Sequence, residues 1–421
     1  MTCALLSAAV ASGAPLSLQE AVSEAKGHGF DVRAAEASIA QAKGDLEAAG
    51  ALPNPTVSLS AGPSIGCYGA GCRAGSPALG AQLSDQGALW QLLAGKRELR
   101  ERVARSGVEV AQVARLDAER LLTSLVKQQY VGAVIAERTI LFSREVRDAA
   151  RQTSELTRER YRAGAVDEAD VSRVETQYLE AEQALDASRQ NAEQQRSALR
   201  LLLGRPALDF DSVELDARPF LPVHPIESLS GPTVQALVAR ALEARTDVRA
   251  QEAMVTQAEA AVASLQRQRV PDVSLFAGYT QQGLAPDFSS PPNVTFGVSL
   301  PVPVVYRLSG EIAHATAAVT AQRAQLDRAR AQVRTEVETA WVAYQTALSQ
   351  LRRMDQGLLR SAARARELVS VQYDKGAASL IEFLDAQRTF IAINVEYLSV
   401  LQEYWTAVFH LEAALGQELP S

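Results

Sequence analysis

Apolar and polar residues alternate strictly in Val294-Thr295-Phe296-Gly297-Val298-Ser299-Leu300. Val294, Phe296, Val298 and Leu300 share one face, and Thr295, Gly297 and Ser299 the other, as in a strand with one apolar and one polar side. Residues 56–61 and 79–84 alternate in the same way, and Val273-Ser274-Leu275-Phe276 opens a fourth strand less cleanly. The stretches "PSIGCYGAGCRAGSP" and "QQGLAPDFSSPPN" read as long hairpin loops between the members of each pair. Elsewhere the period is helical. No proline interrupts residues 95–162, where Val103, Val110, Val113, Leu121, Leu125 and Val134 recur at three, four or seven positions or their sums. The same holds from 310 to 373. A helix of about 65 residues is about 100 Å long. Such rods need partner helices along their whole length, so each is expected to pack as a coiled coil.

The pattern occurs twice. "RYRAGAVDEADVSRVETQYLEAE" from Arg160 matches "QYDKGAASLIEFLDAQRTFIAIN" from Gln372, pairing Tyr161 with Tyr373 and Gly164 with Gly376. Gly204 and Gly416 keep the same offset, 212 (416 − 204). Upstream, "DVRAAEASIAQAKGDLEAAGALPNPTVSLSAG" from Asp31 matches the block from Asp247, at 216 (247 − 31). Each half therefore reads as a helix pair, a strand, a loop, a strand, and two long helices joined at a Tyr-x-x-Gly element. At Gly164 and Gly376 a rod ends and the chain doubles back, because glycine permits the left-handed conformation that terminates a helix. The expected division is 1–14, a remnant of a secretory signal; 15–204, the first repeat; 205–231, a Pro- and Asp-rich linker; and 232–421, the second repeat.

Composition narrows the function. Aromatic residues make up only 5% of the 421, and the abundance of Ala, Leu, Gln, Glu and Arg suits long helices rather than a compact enzyme core. His28, His224, His314 and His410 are scattered, and no nucleophile elbow, zinc-protease motif, P-loop or dinucleotide fingerprint occurs, so no catalysis and no cofactor are expected. The net charge of −7 argues against nucleic acid. No stretch reaches 18 apolar residues, which excludes an internal transmembrane helix. The start, MTCALLSAAVASGAPLSLQE, has an apolar core and an Ala-Val-Ala site but lacks a basic stretch ahead of it. Cys3 stands too near the start for a lipid-attachment box. Cys67 and Cys72 lie in the first hairpin loop as candidates for a small disulfide, with free thiols as the alternative. No Cys or His lies near enough in sequence to complete a metal site there.

Four strands cannot close a barrel, and an open sheet with an apolar face invites aggregation. Either helices cover it or several chains pool their strands, and three chains would supply about twelve. With tips, strands and halves in this order, the sequence resembles the TolC-type outer-membrane efflux family over nearly its whole length, and its tip motifs are similar to those of the CzcC-like heavy-metal branch. That resemblance implies a mainly α fold with a small β part. Long coiled-coil hairpins would form a periplasmic tunnel, and four strands per chain a trimeric twelve-stranded transmembrane barrel. It implies a homotrimer in the lipid of a Gram-negative outer membrane. The partners would be a periplasmic adaptor and an inner-membrane pump, most simply one of the RND type.

Site residues follow from the same resemblance. Glu382 and Asp385 match the acidic ring at the periplasmic entrance; three apart on a helix, they share a face, and three chains would place about six carboxylates around the pore. Asp170 and Tyr373 match an entrance latch, while Ala378 stands where the family carries a basic latch residue. Tyr161, Ala163, Gly164, Ala165, Gly376, Ala377 and Ser379 match the small-residue notches that receive the adaptor. Alternatives are a duct for drugs or other small organic molecules, a type I protein-secretion duct, or a soluble periplasmic coiled-coil scaffold. The scaffold leaves four alternating strands at matched places unexplained.

Overall fold

The computed structural model describes residues 15–63, 77–206, 214–220, 233–282, 292–303 and 305–419. The expected disulfide pair Cys67 and Cys72 and the signal-like start lie outside them. In chain order the elements are α1 (Leu18–His28), α2 (Phe30–Gly50), β1 (Thr56–Pro63), β2 (Pro77–Ser84), α3 (Ala88–Leu93), α4 (Lys96–Arg162) and α5 (Glu168–Leu202). The second half repeats the plan with α6 (Val234–Ala244), α7 (Thr246–Gln268), β3 (Ser274–Gln282), β4 (Asn293–Ser299), α8 (Ser309–Arg353), α9 (Leu359–Asp374) and α10 (Leu380–Leu415). The fold is mainly helical, duplicated, with one small antiparallel sheet. The rod expected from 310 to 373 differs from its counterpart: a π-helical turn, Met354–Leu358, separates α8 from α9.

The chain divides into two compact units. One takes the described residues of Glu36–Ala114 and Asp247–Ala329 and holds the sheet. Its strands lie in the order β1-β2-β3-β4, so the hairpin of the first half pairs through β2 and β3 with that of the second. Register sets the faces. Val57 opposes Leu83, Leu59 opposes Ala81, Ala81 opposes Tyr279, and Tyr279 opposes Val294, which puts the apolar residues of all four strands on one side. Ser58, Gln82, Gly278 and Thr295 form a polar row on the other. The exception there is Phe276, which lies over Gly297 on β4; a Cβ at Gly297 would fall 2.3 Å from the ring. An aromatic ring seated on a cross-strand glycine pins the β3–β4 register. Where helices meet the sheet, cations satisfy chain-end carbonyls. Arg267 Nε donates to the Ala94 carbonyl at 2.6 Å, and the nearly buried Lys96 pairs with Asp272 at 2.8 Å.

The other unit takes the described residues of Met1–Ala35, Arg115–Thr246 and Arg330–Ser421. Its core gathers much of the chain's small aromatic complement. Phe220 meets Trp405 edge-on with centroids 5.1 Å apart, and a run of ring contacts continues through Tyr404 and Tyr344 to Trp341. Tyr130, fully buried on α4, touches Phe220 and donates its hydroxyl to the Leu16 carbonyl. The same hydroxyl accepts from the Asp216 amide at 2.9 Å. It thereby holds a parallel bridge between Leu16 and Leu215, tying the linker to the N-terminal segment. Burial pushes the Tyr130 phenol far above its ordinary pKa, so it stays a neutral donor. Tyr130→Phe is expected to destabilise this unit by about 1–3 kcal/mol, through a buried bond lost on both sides. A denaturant midpoint checks it, and an unchanged midpoint would show the bridge to be held elsewhere.

Candidate functional site at the hairpin tips

Both tips lie in the helical unit and are built alike. Gly164 has φ +71° and Gly376 φ +73°, and a Cβ on either would meet nothing within 4 Å. The Ala165 amide donates to the Arg160 carbonyl at 2.9 Å, and the Ala377 amide to the Gln372 carbonyl at 2.7 Å. This five-residue reach back is the Schellman closure, which satisfies carbonyls left over at a helix C-terminus. Three residues past each glycine the next helix is capped. The Asp167 carboxylate accepts from the Asp170 amide, and the Ser379 hydroxyl from the Glu382 amide. Ala163, Gly164, Ala165, Gly376, Ala377 and Ser379 are exposed around these turns.

The two tips are pinned together by few groups. Val174 of α5 is buried against Leu380 and Leu384 of α10, with Tyr373 and Phe383 packed on them. Tyr373 stacks on Phe383 with centroids 5.0 Å apart and planes 15° from parallel. Arg160 of α4 lies over the Tyr373 ring and donates from Nη1 to its hydroxyl at 3.3 Å. Arg160 therefore supplies a basic contact between the hairpins, while Ala378 offers none. Nothing in the spacing of "RERYRAG" marks it for this. Asp170 and Tyr373 do not bond to each other in the protomer; Asp170 takes Arg173 at 3.0 Å instead. Tyr161, the first-repeat counterpart of Tyr373, is exposed.

Glu382 and Asp385 are both exposed on α10. Glu382 has a local task, since its carboxylate accepts from the Ser379 amide at 2.7 Å and completes a capping box. Bonds from the Ser379 amide and hydroxyl hold the Glu382 carboxyl below its ordinary pKa, so it is charged at neutral pH. Asp385 has no ion-pair partner among the described residues. Among those residues no three His, Cys, Asp or Glu side chains gather around a metal-sized site, and no helix is long and apolar enough to cross a membrane.

The model of the family described as "Outer membrane efflux protein" matches residues 21–205 and 237–417, one stretch in each repeat. The chain belongs to this family. Membership places it among conduits of the outer membrane, not among enzymes. A curated relative, the cobalt-zinc-cadmium resistance protein CzcC of Cupriavidus metallidurans, is 23% identical over 96% of this chain and 90% of its own. Solved structures share the fold. The open-state MtrE outer membrane channel of Neisseria gonorrhoeae superposes with a TM-score of 0.75 at 20% identity, covering 96% of this chain and 90% of its own. The CmeC outer membrane channel of Campylobacter jejuni gives 0.74 at 19%, covering 99% and 92%.

Proposed function

We propose that three copies of this chain form the exit duct of a tripartite efflux system. Their strands would pool into a twelve-stranded outer-membrane barrel, their helices would line a periplasmic tunnel, and their paired tips would form its entrance. The observation that carries this reading is the sheet. Its apolar face is bare, with Leu59 80% and Phe296 79% exposed, and its outer strands β1 and β4 have open edges. An even number of alternating strands lets β4 of one copy pair antiparallel with β1 of the next, so a ring closes without an edge. Two copies give about eight strands, whose interior fills with side chains; three give about twelve and leave room for water. The polar row of Ser, Thr, Gly and Gln suits that lumen.

The duct would be passive, taking cargo from a periplasmic adaptor docked at the exposed small residues of the tips and from an inner-membrane pump of the RND type. Likeness to CzcC favours heavy-metal cations as cargo over drugs, other small organic molecules or secreted proteins. Loss of growth on cobalt, zinc and cadmium, but not on antibiotics, in a deletion strain separates these cargoes. Asp170 and Tyr373 would close the entrance, with Arg160 beside Tyr373, and Glu382 and Asp385 would ring it.

The test is single-channel conductance of the detergent-purified protein in a planar bilayer. Small cation-preferring steps, blocked from one side by a multivalent cation such as hexaamminecobalt, are expected. In Glu382→Gln with Asp385→Asn the block should weaken about tenfold or more, because a carboxylate ring both attracts and holds such ions. Glutamine can still complete the capping box, so the change removes charge and leaves the tip folded. An unchanged block curve would remove these residues from the entrance, and a protein that needs no detergent and gives no steps would end the channel reading.

A further inference from the structure

The four strands, Thr56–Pro63, Pro77–Ser84, Ser274–Gln282 and Asn293–Ser299, carry no Asp, Glu, Lys, Arg, His or Cys. In the proposed duct their polar face is the wall of the barrel. About twelve strands spaced about 4.8 Å and tilted about 40° enclose a backbone cylinder about 24 Å across. A metal ion would cross so wide a bore inside its own water shell. A wall without carboxylate, thiol or imidazole offers it no ligand that competes with that water. The wall would therefore neither hold nor sort metal cargo. It does carry one group of another chemistry, the phenyl ring of Phe276.

Phe276 is the third residue of β3, at the end where the strands join the helices. Register sets it in one row with Thr56, Ser84 and Gly297, between the hydroxyl of Ser84 on β2 and the bare backbone of Gly297 on β4. A Cβ at Gly297 would stand 2.3, 2.6 and 3.0 Å from Cζ, Cε1 and Cε2 of the ring. Three adjacent ring carbons come that near to one atom only across the face of the ring. Phe276 thus lies flat, with one face on the glycine and the other turned away from the wall. The side chain is half-buried, and among the described residues no other ring or cation packs on it. β3 is an inner strand, and its neighbours β2 and β4 belong to the same chain. Joining further copies through β1 and β4 leaves this seat as it is.

We propose that the three Phe276 rings of the duct form a contact site for aromatic organic cations at the helix-side mouth of its barrel. The inference rests on the duct reading, which is what brings the rings to one lumen. The face of a phenyl ring attracts a cation electrostatically, most strongly when the cation holds little water, and a planar cation adds stacking. The neutral wall removes competition, since no carboxylate beside the ring would hold the same cation and no basic group would repel it. Gly297 keeps the site in place, because a side chain there would lift the ring off the wall.

Block by methyl viologen, a planar aromatic dication, tests this, with magnesium as a dication of equal charge that keeps its water. Both are added from the barrel side of the detergent-purified full chain in a planar bilayer. Recording in the Glu382→Gln, Asp385→Asn background keeps those carboxylates from holding either ion. Phe276→Leu leaves an apolar group over Gly297 but removes the π-face. It should raise the methyl viologen block constant about fivefold, the worth of one cation–π contact. Phe276→Tyr should leave that constant within about twofold. Magnesium should act alike on all three channels. Phe276→Met takes the place of the leucine variant if the latter does not insert. Equal methyl viologen constants with and without the ring overturn the site while the duct stands. A magnesium shift as large as that of methyl viologen overturns it too, because the variant then changed the bore and not a contact. A chain that forms no channel refutes the duct, and the site falls with it.

Discussion

Phe296→Arg is expected to abolish insertion into the outer membrane. Phe296 sits mid-strand on β4, opposite Ala277, in the row that includes Val294, Val298, Leu275 and Tyr279. If water covered that row, arginine would be neutral there or would improve solubility. If lipid covers it, arginine near the bilayer midplane costs about 2–4 kcal/mol, and a trimer meets that cost three times. The sum is comparable to the whole stability of a typical domain. Thr295→Arg is the control. One residue away on the same strand, Thr295 belongs to the polar row opposite Gly278 and would face an aqueous lumen, so the membrane fraction should hardly change. Membrane flotation with extraction resistance reads both. Phe296→Arg fractionating like the wild type would mean that the apolar face lies against protein, as a coiled-coil scaffold with a covered sheet would have it.

The two rows were legible because period two survives short strands: alternation in 56–61, 79–84 and 294–300 is enough to assign faces, and the structure pairs them as the duplication implies. The tips were legible through Gly164 and Gly376, since a left-handed helix end leaves a residue-type signature. What was missed depends on distance or on small differences. The bridge from Leu16 to Leu215 through Tyr130 joins segments far apart in sequence, and no local pattern encodes it. Helix α3, Ala88–Leu93, is too short to show a period. The π turn was hidden because tip and chain end share one offset; only burial reveals the added residue, since buried Val337 follows buried Val126 by 211 (337 − 126) and buried Ala362 follows buried Ala150 by 212 (362 − 150). Glu382 was read for the pore alone, although Ser379-Leu380-Ile381-Glu382 also spells a capping box. A carboxylate on a first turn can hold the helix and face a channel at once.

The third repeated glycine has the most severe consequence. Gly204→Ala is expected to destabilise the helical unit by about 2–5 kcal/mol. Gly204 ends the closure of α5, with φ +69° and the Arg205 amide donating to the Arg200 carbonyl at 3.1 Å. A side chain in the left-handed region costs about 1–2 kcal/mol. Here it would also meet backbone: its Cβ would stand 2.1 Å from the His28 carbonyl oxygen and 3.3 Å from the Gly29 amide nitrogen. Gly29 cannot easily give way, since a Cβ there would already overlap the Ala25 carbonyl and the Leu122 side chain. Forced overlap in a packed region adds about 1–3 kcal/mol. Its relatives in the repeat grade the effect. Gly416 has φ +67° and would meet Arg245 at its Cγ, 3.1 Å, and its backbone Cα, 3.3 Å, which is tight but short of the overlap at Gly204, and Gly164 at φ +71° faces open space. Denaturant midpoints of the three alanine variants should therefore fall most for Gly204, less for Gly416 and least for Gly164. Equal losses at all three would reduce the repeated glycine to a helix stop. The graded order would show that at the tips it keeps a turn open, and at Gly204 it lets the end of α5 rest directly on the joint between α1 and α2.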